Sequence, residues 1–323
     1  MSALEGSLGI GVQTVYETAV VPSRFYPVQA ASWELNPIER DSTAIMGGGF
    51  GARSSGHVRT GTAPAGAVEM EVYTSKMALL LQQVTGTVAA PVATGTGGFT
   101  YTMPLARNTG RFFTAETYLP DGDATLTATG AKVTGAGFSC AIDDALMMSL
   151  DLDARSLASA TGVVTAASYP VGQVPFHWGQ GSLKIGAFGA ETAVAGVKSV
   201  SVDFDRPLFT DNRYMNGKTE PRLNGEPTVS GTLDVDFLVK ADFFDRFFTG
   251  SAFSLVWEFL ATAGTGYVET FRIALPRCFF TGEIPALEGE DIMGMSMPFV
   301  ALRDDVNGRA MGTVTYISTD AAA

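Results

Sequence analysis

Few side chains in this 323-residue chain are spaced for chemistry. There are two histidines, His57 and His177. Neither has a second ligand four residues away, as a helical zinc pair would. His57 stands in a Gly/Ser stretch and His177 beside Trp178, so both read as surface or packing residues. Asp143-Asp144 and Asp151-Leu-Asp153 offer carboxylates, but the spacing and later Glu of a calcium loop are missing. They read as solvated strand ends. Met46-Gly-Gly-Gly-Phe-Gly-Ala52 is glycine-rich, yet it lacks the Lys-Ser/Thr that meets phosphate, and no helix pattern follows. Nothing resembles a nucleophile elbow. No catalytic, cofactor-binding or metal-ligating residue is assigned, and no cofactor is expected.

One acidic pattern carries more information. Thr232 to Val239 alternates Leu233, Val235 and Phe237 with Thr232, Asp234 and Asp236. Gly66 to Tyr73 alternates Val68, Met70 and Val72 with Glu69, Glu71 and Tyr73. Val197 to Phe204 sets Val200, Val202 and Phe204 against Ser199, Ser201 and Asp203. Period two is the signature of a half-buried strand. Each such strand puts its carboxylates on one face. That face meets either bulk water or an enclosed aqueous channel, whose acidic wall would repel a polyanion. The candidate lining residues are Asp203, Asp234 and Asp236, with Glu34, Glu69 and Glu71 as first-half counterparts.

The elements that position these residues come in two sets. Val133 to Ala154 and Phe280 to Ala301 align without a gap and share Thr134/Thr281, Gly135/Gly282, Asp144/Asp291, Met148/Met295, Ser149/Ser296 and Ala154/Ala301. Gly66 to Gly86 resembles Gly231 to Gly250, and Ser32 to Pro37 resembles Ser201 to Pro207, in the same order. Three ordered blocks imply two copies of one unit: residues 1–155 and 170–323, with the small, polar stretch 156–169 as a linker. Each half is long enough to bury a core.

Strands dominate, with one short helix per half. Met77, Leu80, Leu81 and Val84 make an apolar stripe, with Ser75 as the expected cap and Gly86 as the stop. Phe243, Phe244, Phe247 and Phe248 precede Gly250 and read as a core stripe. Val88 to Gly98 and Asp121 to Gly130 read as loops or a hairpin added to the first half. A long polar segment follows the first block in each half: Ile38 to Ala65 and Leu208 to Pro227. Segments this long usually have a task. Since a chain of two like units can close a ring with half the number of subunits, they are expected to reach an adjacent ring or subunit, with Arg40, Arg53, Arg213, Tyr214, Lys218 and Arg222 as candidate contacts.

Composition narrows the function classes. The net charge of -12 disfavours a conventional nucleic-acid-binding surface. The two cysteines, Cys140 and Cys278, fall at non-equivalent places and form no disulfide framework or zinc spacing. They are expected as free thiols in a reducing cytoplasm. There is no secretory signal pattern and no run of about 20 apolar residues, so no membrane association is expected.

The order and spacing of several segments resemble the tail tube proteins of long, non-contractile (siphovirus-type) phage tails. More closely, the chain is similar to the subgroup with an internally duplicated tube domain. The matching segments are Gly11 to Thr18, Pro22, Phe25 to Val28, Thr129 to Val133, Asp151-Leu-Asp153, Val197 to Phe204, Gly231 to Phe237, Leu275 to Phe280, Gly289 to Ile292, Pro298 to Asp304 and Gly308. One departure is Asp205-Arg206-Pro207, where the family often has Asn in the turn. The resemblance implies an all-β fold with minor α: two tandem tail-tube domains, each a two-sheet antiparallel β-sandwich or open barrel with one short flanking helix.

It further implies a structural virion protein, no enzyme, made in the host cytoplasm. Sheets of neighbouring chains would join around a lumen that delivers DNA. A duplicated chain would form a homotrimeric, pseudo-hexameric ring, and rings would stack into a helical assembly. Implied partners are the chain itself, a tape-measure protein, a tail terminator and a distal tail protein, with double-stranded DNA passing without specific binding. Two alternatives stand beside it. One is a single-ring terminator or distal tail protein. The other is an all-β carbohydrate-binding or hydrolytic module, although Trp33, Trp178 and Trp257 are scattered rather than gathered into a platform.

Overall fold

Period-two patterning dictates strands, and strands account for nearly all regular structure. The computed structural model describes residues 5–43, 56–215, 217–236, 243–264, 266–282 and 294–321. The first half contains β1 (Ser7–Val12), β2 (Arg24–Tyr26), β3 (Ala30–Glu34), β4 (Pro37–Asp41), β5 (His57–Thr62) and β6 (Ala65–Glu71). Then come α1 (Ala78–Thr85), β7 (Val92–Thr94), β8 (Gly98–Pro104), β9 (Phe113–Leu119), β10 (Ala124–Ala141), β11 (Met147–Asp153) and β12 (Ser156–Thr161). The second half contains β13 (Gly181–Ala187), β14 (Ala190–Ala193), β15 (Val197–Asp205), β16 (Leu208–Phe209), β17 (Arg213–Tyr214), β18 (Gly217–Lys218) and β19 (Arg222–Leu223). It ends with β20 (Thr228–Asp236), α2 (Phe244–Thr249), β21 (Phe253–Gly264), β22 (Tyr267–Phe280), β23 (Gly294–Ala301) and β24 (Thr313–Ser318). The fold is all-β with minor α, as expected.

Seven antiparallel ladders occur once in each half. β1 pairs with β2 and β9, β9 with β10, β10 with β11 and β12, β11 with β6, and β6 with β3. In the same order, β13 pairs with β14 and β21, β21 with β22, β22 with β23 and β24, β23 with β20, and β20 with β15. Register agrees residue by residue. Trp33 faces Gly66 as Val202 faces Gly231, and Gly66 faces Leu152 as Gly231 faces Phe299. Both hairpins β9–β10 and β21–β22 slip in register at the same point, between Ala128 and Ala131 and, at the matching pairs, between Leu255 and Phe253. Thr134 Oγ1 donates to the Asp151 carbonyl, and Thr281 Oγ1 to the Pro298 carbonyl.

The halves are joined by strands. β10 is long enough to serve two sheets: its first part pairs with β9 and β12, its second with β11 and β15. A continuous sheet therefore runs β3-β6-β11-β10-β15-β20-β23, crossing from one half to the other at β10–β15. The β7–β8 hairpin of the first half extends the second, through β8 with β24. Among the described residues the pairings branch but never return on themselves. The buried apolar side chains of both halves form one connected cluster, from Leu8 and Met70 to Trp257 and Tyr316. The segment read as a linker opens as strand β12, paired with β10. Asp121 to Gly130, read as a loop or hairpin, is the β9–β10 turn followed by strand.

The two helices differ. α1 is buried along its whole length and stops at Gly86, whose φ of 77° favours glycine. Ser75 does not cap it; Met77 occupies the cap with no side-chain hydrogen bond. The preceding Lys76 is instead held by the distant Asp320, whose carboxylate meets its Nζ at 2.8 Å. α2 stops in the same way at Gly250, φ 63°. Its phenylalanines are not a core stripe. Phe243 is buried against Phe280, whereas Phe248 is 71% exposed and stacks on Phe244. Among the described residues, nothing matching the β7–β8 hairpin and β24 that flank α1 lies over α2.

Candidate functional site: an acidic sheet face and two hairpin arms

The joined sheet has one apolar and one polar face, because neighbouring residues of a strand point to opposite sides. Val68, Met70, Leu150, Phe138, Val202, Leu233 and Met297 point to the core. The other face carries Glu34 of β3, Glu69 and Glu71 of β6, Asp203 of β15, and Asp234 and Asp236 of β20. Cross-strand register links them in rows, such as Ala30–Glu69–Ser149–Gly137–Asp203–Ser230. All six sequence-derived carboxylates thus share one face of one sheet, although they come from four strands and both halves. Among the described residues, two strand lysines reach this face, Lys198 beside Asp236 and Lys132 opposite Asp153, so the face is acidic on balance rather than free of cations.

The environments differ locally. Glu34 and Glu69 are exposed. Tyr73 donates to Glu71 at 3.0 Å, and Ser199 to Asp234 at 2.6 Å. Lys198 pairs with Asp236 at 2.6 Å. Asp203 leans across β10, where a Cβ on Gly137 would lie 2.7 Å from its Oδ1. Burial beside that strand raises its pKa. Sequence reasoning left Asp151 and Asp205 off the face, although they flank Gly135 there. The same two-residue alternation would have found them.

The two long polar segments are hairpin arms. The first pairs β4 with β5 and leaves directly from β3. Arg40 is exposed on it; Arg53 lies outside the described residues. His57 sits on this arm, 2.8 Å from Asp41 and 3.3 Å from Glu39, which raise its pKa above 6.5, Asp41 foremost. The second arm pairs β16 with β19 and β17 with β18, and leaves from β15. Tyr214 and Arg222 are exposed, and Arg213 pairs with its neighbour Asp211.

Lys218 is different. It is buried within the chain, where its Nζ meets Asp153 Oδ1 at 2.6 Å and the Ala154 carbonyl at 2.7 Å. An inward-folded lysine has no charge to offer another ring. Beside it, Glu220 pairs with buried Lys132 and accepts from the Gly110 amide at 2.7 Å. Arg155 donates to the Lys218 carbonyl at 3.1 Å. Burial dominates both ionic partners on the sheet, raising the pKa of Asp153 and lowering that of Lys132. The second arm is therefore seated on the first half by buried ion pairs.

Both cysteines are buried and unpaired, and burial raises both thiol pKa values, that of Cys140 to about 11. No group of three or more metal-type side chains gathers among the described residues. No helix is long and apolar enough to cross a membrane. A family model described as phage tail tube protein matches residues 4–301. No curated protein matches the chain.

Proposed function

The chain belongs to the phage tail tube protein family, and from that premise we propose that it forms the DNA conduit of a long, non-contractile tail. Family membership makes it a structural component of the virion tail that assembles with itself into a tube. The finer reading is that the chain is an internal duplication. Three chains then supply six tube units per ring, and rings stack into the tube. The observation that carries this reading is the set of seven ladders that recurs in both halves with matching register. A random pair of β-domains would not share even the position of a register slip.

The acidic face supports the lumen assignment. Duplex DNA carries one negative charge per roughly 1.7 Å of axis. A wall bearing Glu34, Glu69, Glu71, Asp203, Asp234 and Asp236, whose lysines Lys198 and Lys132 are already engaged by Asp236 and Glu220, would offer phosphates little to stick to. Tape-measure, terminator and distal tail proteins are the expected further partners, with assembly in the host cytoplasm. Electron cryomicroscopy of the polymerised protein tests the reading. Rings of three chains with this face inward are expected; rings of six chains would overturn the three-chain ring, and an outward face would overturn the lumen.

A further inference from the structure

The second half leaves open a surface that the first half covers. In the first half, Lys132 faces Asp153 at the edge of the β10–β11 ladder, and Arg155 follows two residues on. Arm β16–β19 lies over this place through Lys218 and Glu220. In the second half, Phe279 faces Val300 at the matching rung, and Leu302 stands where Arg155 stands. Phe279 and Val300 are half-buried, and Leu302 is 49% exposed. The Arg277 guanidinium lies over the Phe279 ring, 5.7 Å from its centre. One half thus has an ionic seat with an arm in it; the other has an apolar seat.

The first arm has the converse problem. It leaves β3 through Asn36-Pro37 as the second leaves β15 through Arg206-Pro207. β15 pairs with β10 of the preceding half, which is what brings the second arm to its seat. β3 pairs on one side only among the described residues. Its arm lies exposed, with Val58 at 56%. Repeating the in-chain step once more places the preceding half in another copy of the chain.

We propose that arm β4–β5 of one copy seats on the Phe279, Val300 and Leu302 patch of the next copy. This rests on the ring reading above. The differing chemistry gives the contact its direction. Moving the Lys218–Glu220 arm onto the apolar patch would strand two charges without their partners, which costs several kcal/mol per ion. Each arm therefore fits one seat, and a chain cannot close on a neighbour with its halves exchanged.

The test uses full-length protein under polymerising conditions. Val58→Cys and Leu302→Cys are made in separate chains, mixed, and treated with a bismaleimide; the native cysteines are buried. A heterodimer band requiring both variants is expected, and none from either alone. Leu302→Glu should keep the thermal midpoint of the unassembled protein but lower polymer yield about tenfold or more, the effect of burying an unpaired carboxylate. Wild-type tubes that give no mixed cross-link, together with Leu302→Glu tubes at wild-type yield, would overturn the arm contact and leave the tube function standing. Failure of the wild-type chain to polymerise would instead overturn the ring reading beneath it.

Discussion

Replacing Lys218 with Met breaks the most buried ion pair between the second arm and the first half. Lys218 and Asp153 side chains are 4% and 9% exposed, and their 2.6 Å contact is backed by the Ala154 carbonyl. Lys218→Met keeps the apolar stem but leaves a buried carboxylate without its cation. Removing one partner of such a pair costs about 3–5 kcal/mol. With an unfolding entropy of roughly 2.1 cal/mol/K per residue, 323 residues give about 0.68 kcal/mol/K, so the midpoint falls by about 4–7 °C. Removing both charges as Lys218→Met with Asp153→Leu should recover at least about 2 kcal/mol, since apolar replacement of a whole buried pair is often near neutral.

The single variant also predicts a pH dependence. Burial already raises the Asp153 pKa, and loss of Lys218 raises it further. A buried acid with a raised pKa keeps its proton when folded after the unfolded chain has released it. Stability of Lys218→Met should therefore decline, relative to the parent, as pH rises from the ordinary carboxylate range toward neutral. Calorimetry and urea unfolding between acid and neutral pH measure both effects. A single-variant loss below about 1 kcal/mol, or costs that simply add in the double variant, would refute a buried, coupled pair.

Three further outcomes are expected. A Cβ on Gly231 would lie 2.2 Å from the Ser201 carbonyl oxygen, whereas one on Gly66 would meet the ring of Trp33 at 2.6 Å; Gly231→Ala should cost about 3 kcal/mol and Gly66→Ala less, because a side chain yields where backbone does not. NMR titration of His57 should give a pKa above 6.5 that falls in Asp41→Asn; its contribution to the first arm is complete below 6.5 and disappears as pH rises through the higher folded value, so a pKa at or below 6.5 would discard it. Phage carrying Asp203→Lys with Glu69→Lys should build tubes of normal length but eject DNA slowly, most of all at low salt; unchanged ejection at low salt would count against an acidic bore.

Much of this protein was legible without coordinates, for a physical reason. Alternation is local, so the acidic residues of β6, β15 and β20 could be assigned to one side of each strand from the sequence. Two segments that align without a gap should also share a register, and β10–β11 and β22–β23 agree at the two rungs they have in common, Lys132–Asp153 with Phe279–Val300 and Val133–Leu152 with Phe280–Phe299. The β1 and β13 pair escaped notice: Ser7-Leu8, Ile10-Gly11 and Ser182-Leu183, Ile185-Gly186 are too short a likeness to stand out until their ladders align them. What only tertiary structure decided are contacts distant in sequence. Asp320 holds Lys76 ahead of α1, and the helix starts at Ala78, too late for Ser75 to cap it. Phe248 is open where, among the described residues, no hairpin lies over α2 as β7–β8 lies beside α1, which no helical periodicity could reveal. Lys218 turns inward because Asp153 waits 65 residues away, and the strand order that brings them together is a property of the folded sheet, not of either segment.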